Sequence, residues 1–176
     1  VNGDISGSAN LRITSPVPHH NPVGYTVLKG SNADFHGAFM LMCASHPEDT
    51  VNSSGTKIPK FPDLEKNMYL QLTVNRGDQF GGRYDGADAW KSIHINNYGR
   101  VNIADADVVV NEPTRGLFVD GGVQFNVPEN LSLTLDIPVT YGGELLKNGA
   151  GALVLGGEAR FIDGLAETMP QEGTNV

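Results

Sequence analysis

Charge is scarce in this chain: Lys, Arg, Asp and Glu make up 18% of its 176 residues, with 20 acids against 12 bases. The net charge of −8 contains no basic cluster, which argues against nucleic acid as a partner, because phosphate contacts need concentrated Lys and Arg. No apolar run approaches the ~20 residues that span a bilayer as a helix. No signal peptide opens the sequence, and Val1 is not an initiator methionine, so the chain reads as a mature or excised piece. Cysteine is nearly absent. The lone Cys43 cannot close an internal disulfide, and among Met40, Leu41, Met42 and Ala44 it reads as a small core residue. Such cysteine usage suits a large secreted protein as well as a cytosolic one. Amphipathic helices are missing too; residues 164–172 could turn once at most.

Glycine and turn chemistry take the place of these features. There are 22 glycines and 10 prolines, a composition of frequent turns and few long helices. Twelve segments show strand-like patterning: 10–14, 25–28, 38–43, 68–75, 92–96, 100–104, 106–110, 117–119, 123–127, 131–135, 143–147 and 152–155. Most end at Gly, Asn, Asp or Pro, which supply turn geometry. In "NLSLTLDI", Leu131, Leu133 and Leu135 share one face and Ser132, Thr134 and Asp136 the other, the pattern of a half-buried strand. Residues 45–66 differ, with three prolines, polar filler and little periodicity. They read as a long loop insertion in a single domain, with room for one short strand.

The chain also resembles itself. Set beside "GALVLGGEARFIDG" (151–164), the stretch "GYTVLKGSNADFHG" (24–37) matches Gly24 to Gly151, Val27 to Val154, Leu28 to Leu155, Gly30 to Gly157 and Gly37 to Gly164, an offset of 127 throughout. Upstream, "ISGSANLRI" resembles "VTYGGELLK" with Leu11 opposite Leu145, which places repeat copies at 5–37 and 137–164. A Gly-bounded strand of alternating apolar residues cannot bury its face alone. Stacking it on a neighbouring coil pairs the backbone and extends the core. With roughly 20–25 residues per coil, about seven or eight coils are expected. The pattern predicts an all-β parallel β-helix, with a β-sandwich as the alternative.

The residues 145–164, "LLKNGAGALVLGGEARFIDG", resemble the autotransporter-associated β-strand repeat, which runs Lys-x-Gly-x-Gly-x-Leu-x-Leu-x-Gly to a closing Gly. Its positions are Lys147, Gly149, Gly151, Leu153, Leu155, Gly157 and Gly164; the first copy keeps Gly24, Val27, Leu28, Gly30 and Gly37. The resemblance covers residues 115–164 and, more weakly, 5–37. It implies a right-handed, pectin-lyase-like solenoid from a longer passenger-type bacterial protein, extracellular or on the outer surface. It implies neighbouring repeats, and a glycan or host-surface ligand, as partners. It implies no particular activity, since such passengers include adhesins, spacers and enzymes.

No catalytic signature stands out, and neither a metal nor a cofactor is expected. A phosphate loop needs its lysine after the glycines and a helix next; here Lys147 comes first and a strand follows. "RYDGADAW" gathers Tyr84, Asp85, Asp88 and the single tryptophan, Trp90, a group that could stack on a sugar and bond its hydroxyls. Asp105 and Asp107 share a face if extended, and paired acids with Arg100 or Arg115 as base would suit a polysaccharide lyase or a glycoside hydrolase. In that reading the carboxylates are Asp78, Asp85, Asp88, Asp105 and Asp107; a solvated face or turn is the plainer account. A carbohydrate-binding β-sandwich would instead use Trp90 and Tyr84. Arg76-Gly77-Asp78 is the tripeptide that integrin ligands display, and a turn after strand 68–75 explains it as well. His19 and His20 lack the spacing and third ligand of a zinc site, and His36, His46 and His94 are scattered. The expected function is a structural, adhesin-like surface module that projects loops.

Overall fold

The computed structural model describes residues 1–14, 24–42, 50–51, 57–58, 70–96 and 99–161. Its strands are β1 (Leu11–Thr14), β2 (Gly24–Val27), β3 (Phe39–Met42), β4 (Thr50–Val51), β5 (Lys57–Ile58), β6 (Leu70–Val74), β7 (Ile93–Asn96), β8 (Gly99–Ile103), β9 (Val108–Val110), β10 (Leu117–Asp120), β11 (Gly122–Asn126), β12 (Ser132–Leu135), β13 (Val139–Tyr141), β14 (Glu144–Asn148), β15 (Ala152–Leu155) and β16 (Ala159–Phe161). Three parallel sheets form, in the orders β1-β3-β7-β10-β13-β16, β14-β11-β8-β6-β2 and β15-β12-β9. Each turn of the chain contributes a strand to one sheet and then the next, so the fold is a parallel β-solenoid of about five turns. Parallel pairing throughout these three sheets excludes the alternative sandwich, which needs antiparallel sheets.

All twelve expected strand segments contain a strand, and β13 and β16 were not expected. The coil count is smaller than the seven or eight expected. Leu11, Phe39, Ile93, Leu117, Val139 and Ala159 stand in one column of the first sheet. Successive turns therefore take 28, 54, 24, 22 and 20 residues. The long second turn holds residues 43–69 between β3 and β6, of which 50–51 and 57–58 are described. Within them β4 and β5 pair antiparallel; Cys43, His19, His20, His46, Gly164 and residues 164–172 lie outside the described residues.

Such uneven turns also displace the expected repeat. The 127-residue match sets β2 against β15, yet these belong to the second and third sheets. In register, Gly24 falls in the column that ends at Leu145, and Leu11 in the column of Val139. Gly157 has a different counterpart in Gly37. Both stand two residues ahead of a first-sheet strand, and a Cβ on either would collide with a carbonyl of the coil below, that of Ile137 or of Ala9. Any Gly-bounded apolar strand in this fold obeys the same packing rule, so similar words recur at inequivalent places.

Alternation drives the core. β6 and β8 read buried–half-buried–buried along their length, because successive side chains point to opposite faces of a sheet. Inward columns such as Leu72–Val101–Phe125 are sealed, each residue at 1% exposure or less. The same column is bounded by Thr26 below and Lys147 above, and the exposed Lys147 turns its Nζ to the Gly149 carbonyl. Polar residues thus end that apolar column on both sides. A void among Phe80, Ile93, Phe125 and Ile137 is no larger than a water molecule.

Two short 3₁₀ turns follow β6: Gly77–Phe80 lies against β9 of the third sheet, and Ala89–Lys91 against β10 and β13 of the first. Phe80 meets Phe39 edge-on at 5.5 Å inside the stack. Among the described residues no helix is long and apolar enough to cross a membrane.

Candidate functional site

The loop between the 3₁₀ turns carries Tyr84, Asp85 and Asp88, and the second 3₁₀ turn carries Trp90; the fold divides these four residues expected to meet a sugar. The Tyr84 backbone is tied to the next turn: its N–H donates to Thr114 Oγ1 at 2.8 Å, while its ring lies 5.7 Å from the Arg115 guanidinium. Asp85 contacts His36 Nδ1 at 3.0 Å and Arg83 Nε at 3.1 Å. Asp88 pairs with Lys91 at 3.2 Å. Trp90 instead reaches the first sheet and meets Phe118 edge-on at 5.0 Å, with Lys91 Nζ 5.2 Å from the indole. Tyr84 and Asp85 serve the loop, whereas Trp90 belongs to an outer sheet face.

Arg115, one of the two candidates for the base of a lyase, is a structural clamp. It is 1% exposed. Its Nε donates to the Gly82 carbonyl at 2.5 Å, and Nη2 to those of Phe35 and Gly37 at 3.0 and 3.1 Å. Nη1 donates to the Ser92 carbonyl at 3.4 Å. Burial lowers its pKa to about 10, opposed by Glu112 and Tyr84. A guanidinium so enclosed cannot take a proton from a polysaccharide.

The carboxylates of the enzyme reading are engaged locally as well. Asp78 binds Arg76 through both oxygens, at 3.0 and 2.7 Å, and accepts from Ser31 Oγ at 2.7 Å. The two charges of the Arg-Gly-Asp tripeptide therefore satisfy each other, and Gly77 between them is pressed against the Val109 carbonyl. Asp105 occupies the left-handed region at φ 67° in the β8–β9 turn, where short polar side chains are tolerated. Asp107 accepts from the Ser132 N–H at 2.7 Å. Among the described residues no three His, Cys, Asp or Glu come together as a metal site.

A different group assembles on the outer face of the first sheet. Strand alternation turns Met40, His94, Phe118 and Thr140 outward in one row, and Met42, Asn96 and Asp120 in the next. The His94 ring tilts against Phe118 at 4.9 Å, and Trp90 meets Phe118 from the adjoining loop. Burial pushes the His94 pKa down; Asp120 pulls it up and Lys91 pushes it down further. Among the described residues His94 Nε2 and Asn96 Oδ1 have no hydrogen-bond partner, and Asn96 is 9% exposed. A buried polar atom without a partner costs about 1–3 kcal/mol, and two on one face are out of keeping with a passive surface. Single-strand reading missed this group because "IHIN" and "LFVD" each look like ordinary half-buried strands. Only parallel register sets Phe118 on His94 and Asp120 beside Asn96.

On the second sheet the outward row is an amide ladder: Asn126 Nδ2 donates to Asn102 Oδ1 at 3.2 Å, and Asn102 Nδ2 to Gln71 Oε1 at 3.1 Å. On the third, Val109, Thr134 and Val154 form an uncharged row. The chain matches no protein-family model, no curated protein and no solved structure.

Proposed function

We propose that this chain is a structural module of a secreted or cell-surface protein, of the passenger type its repeat resembles, which holds loops and a glycan-contacting face away from the surface that bears it. Extracellular or outer-surface localisation belongs to the same proposal. A solenoid suits the role, because each coil is fixed by its neighbours and loops can be lengthened without disturbing the stack. The observation that carries the reading over an enzyme is the fate of the acids: Asp78, Asp85, Asp88 and Asp107 each hold a local partner. A glycosidase needs two carboxyls free to face the scissile bond from either side.

The test is incubation of the purified chain with a panel of neutral and acidic polysaccharides, with and without calcium, followed by assays of both cleavage and binding. Binding without cleavage is expected. Cleavage of any polymer overturns the structural reading, and failure to bind any of them overturns the glycan contact.

A further inference from the structure

Resting on that glycan-contact reading, we infer that the outer face of β7 and β10 is a binding site for a neutral saccharide, with Asn96, Asp120 and His94 bonding its hydroxyls and Phe118 underlying its ring. Among the described residues Asn96 Oδ1 lacks a partner, on a side chain about nine-tenths buried, and His94 Nε2, two residues away on the same face, lacks one too. Asp120 is the register neighbour of Asn96. The group that completes such a set must donate to an amide oxygen and a carboxylate and must also suit a neutral imidazole. A hydroxyl does all three, since it donates one hydrogen bond and accepts others. The half-exposed Phe118 provides the apolar surface that a sugar's C–H face requires. His94, Phe118 and Asp120 are all partly open, whereas the two orphan atoms are closed to solvent, so a hydroxyl reaches them only as these side chains turn outward.

Charge selects the class of saccharide. Asp120 lies within the face, Asp88 stands beside Trp90 on the flanking loop with its charge matched by Lys91, and the whole chain carries −8. A polyuronate would bring its carboxylates against this field, while the cations of the same outward row, Arg12 and the Glu158-paired Arg160, stand at its two ends, at least two strands away from Phe118. A neutral hexose or pentose chain meets no such penalty.

The experiment is titration of the purified chain with cello-, manno-, malto- and xylohexaose and with hexagalacturonate, read by calorimetry and by Trp90 fluorescence. Asn96→Ala, the isosteric Asp120→Asn and the remote control Tyr25→Ala, whose ring is 71% exposed on the second sheet, are run beside it, each first shown to melt as a folded protein. A neutral hexaose is expected to bind. Asn96→Ala and Asp120→Asn should each weaken it about tenfold or more, the size of a lost hydrogen bond to a charged or buried group, and Tyr25→Ala should leave it unchanged. Binding by the wild type that survives both face substitutions, or that is lost in Tyr25→Ala, overturns the site while leaving the glycan reading standing. Preference for hexagalacturonate overturns the assignment of a neutral ligand. No binding of any hexaose overturns both readings. Should Asn96→Ala fail to fold, Asp120→Asn decides alone.

Discussion

Nη2 of Arg115 donates to the carbonyl of Phe35 at 3.0 Å, joining residues 80 positions apart. The same side chain reaches Gly37, Gly82 and Ser92, so one guanidinium ties the ends of the first two turns to the start of β10. Five N–H donors in a rigid fork make this possible where the single ammonium of lysine would not.

Arg115→Met should therefore destabilise the chain by about 3–5 kcal/mol, since it leaves several buried carbonyls unpaired. Arg115→Lys should recover less than half of that loss. Urea denaturation at neutral pH measures both. A cost under about 1 kcal/mol for the methionine variant would show that the carbonyls find water instead.

Packing between coils predicts a sharp contrast between two glycines. A Cβ at Gly77 would overlap the Val109 carbonyl of the next coil, whereas one at Gly3 meets nothing within 4 Å. Gly77→Ala should cost about 2–4 kcal/mol and Gly3→Ala less than about 0.5 kcal/mol. Melting temperatures of the two variants, measured side by side, check this directly.

Burial of His94 makes stability depend on pH. Its folded pKa lies below the ordinary value of 6.5, so in acid the unfolded chain takes up a proton that the folded chain resists. Stability contributed by the neutral ring is complete above 6.5 and is lost as pH falls through that value. His94→Gln should flatten the stability curve between about pH 7 and about pH 5 relative to wild type. Identical slopes for the two proteins would refute a buried, neutral His94.

The amide ladder predicts an order of effects. Asn102 both accepts from Asn126 and donates to Gln71, while Asn126 supplies one of these bonds. Asn126→Ala should cost about 0.5–1.5 kcal/mol, and Asn102→Ala about twice that. A double-mutant cycle in urea resolves the coupling between them.

How far the local pattern carries can be judged from particular elements. Leu133 and Leu135 alternate with Ser132 and Thr134, and β12 buries the leucines as that pattern demands. β13 and β16 escaped notice because "VTY" and "ARF" are too short to show a period. Trp90 could be suspected of a contact role from its type, but nothing in "RYDGADAW" indicates that it turns to Phe118 while Tyr84 turns to Arg115. Arg115 itself looks like any surface arginine, and its burial depends on carbonyls supplied from three distant segments.

The amino-acid order alone determined that this chain is all-β, that its strands stack and that glycines mark its corners, because side-chain alternation and turn chemistry act over only a few residues. It did not determine which strands become neighbours. Turns of 28, 54, 24, 22 and 20 residues leave no constant offset to detect, so equivalence is set by backbone pairing between coils. That pairing places Phe118 on His94 and Asp120 beside Asn96. The outer face they form exists only in the assembled stack, where residues 24 apart come to lie side by side.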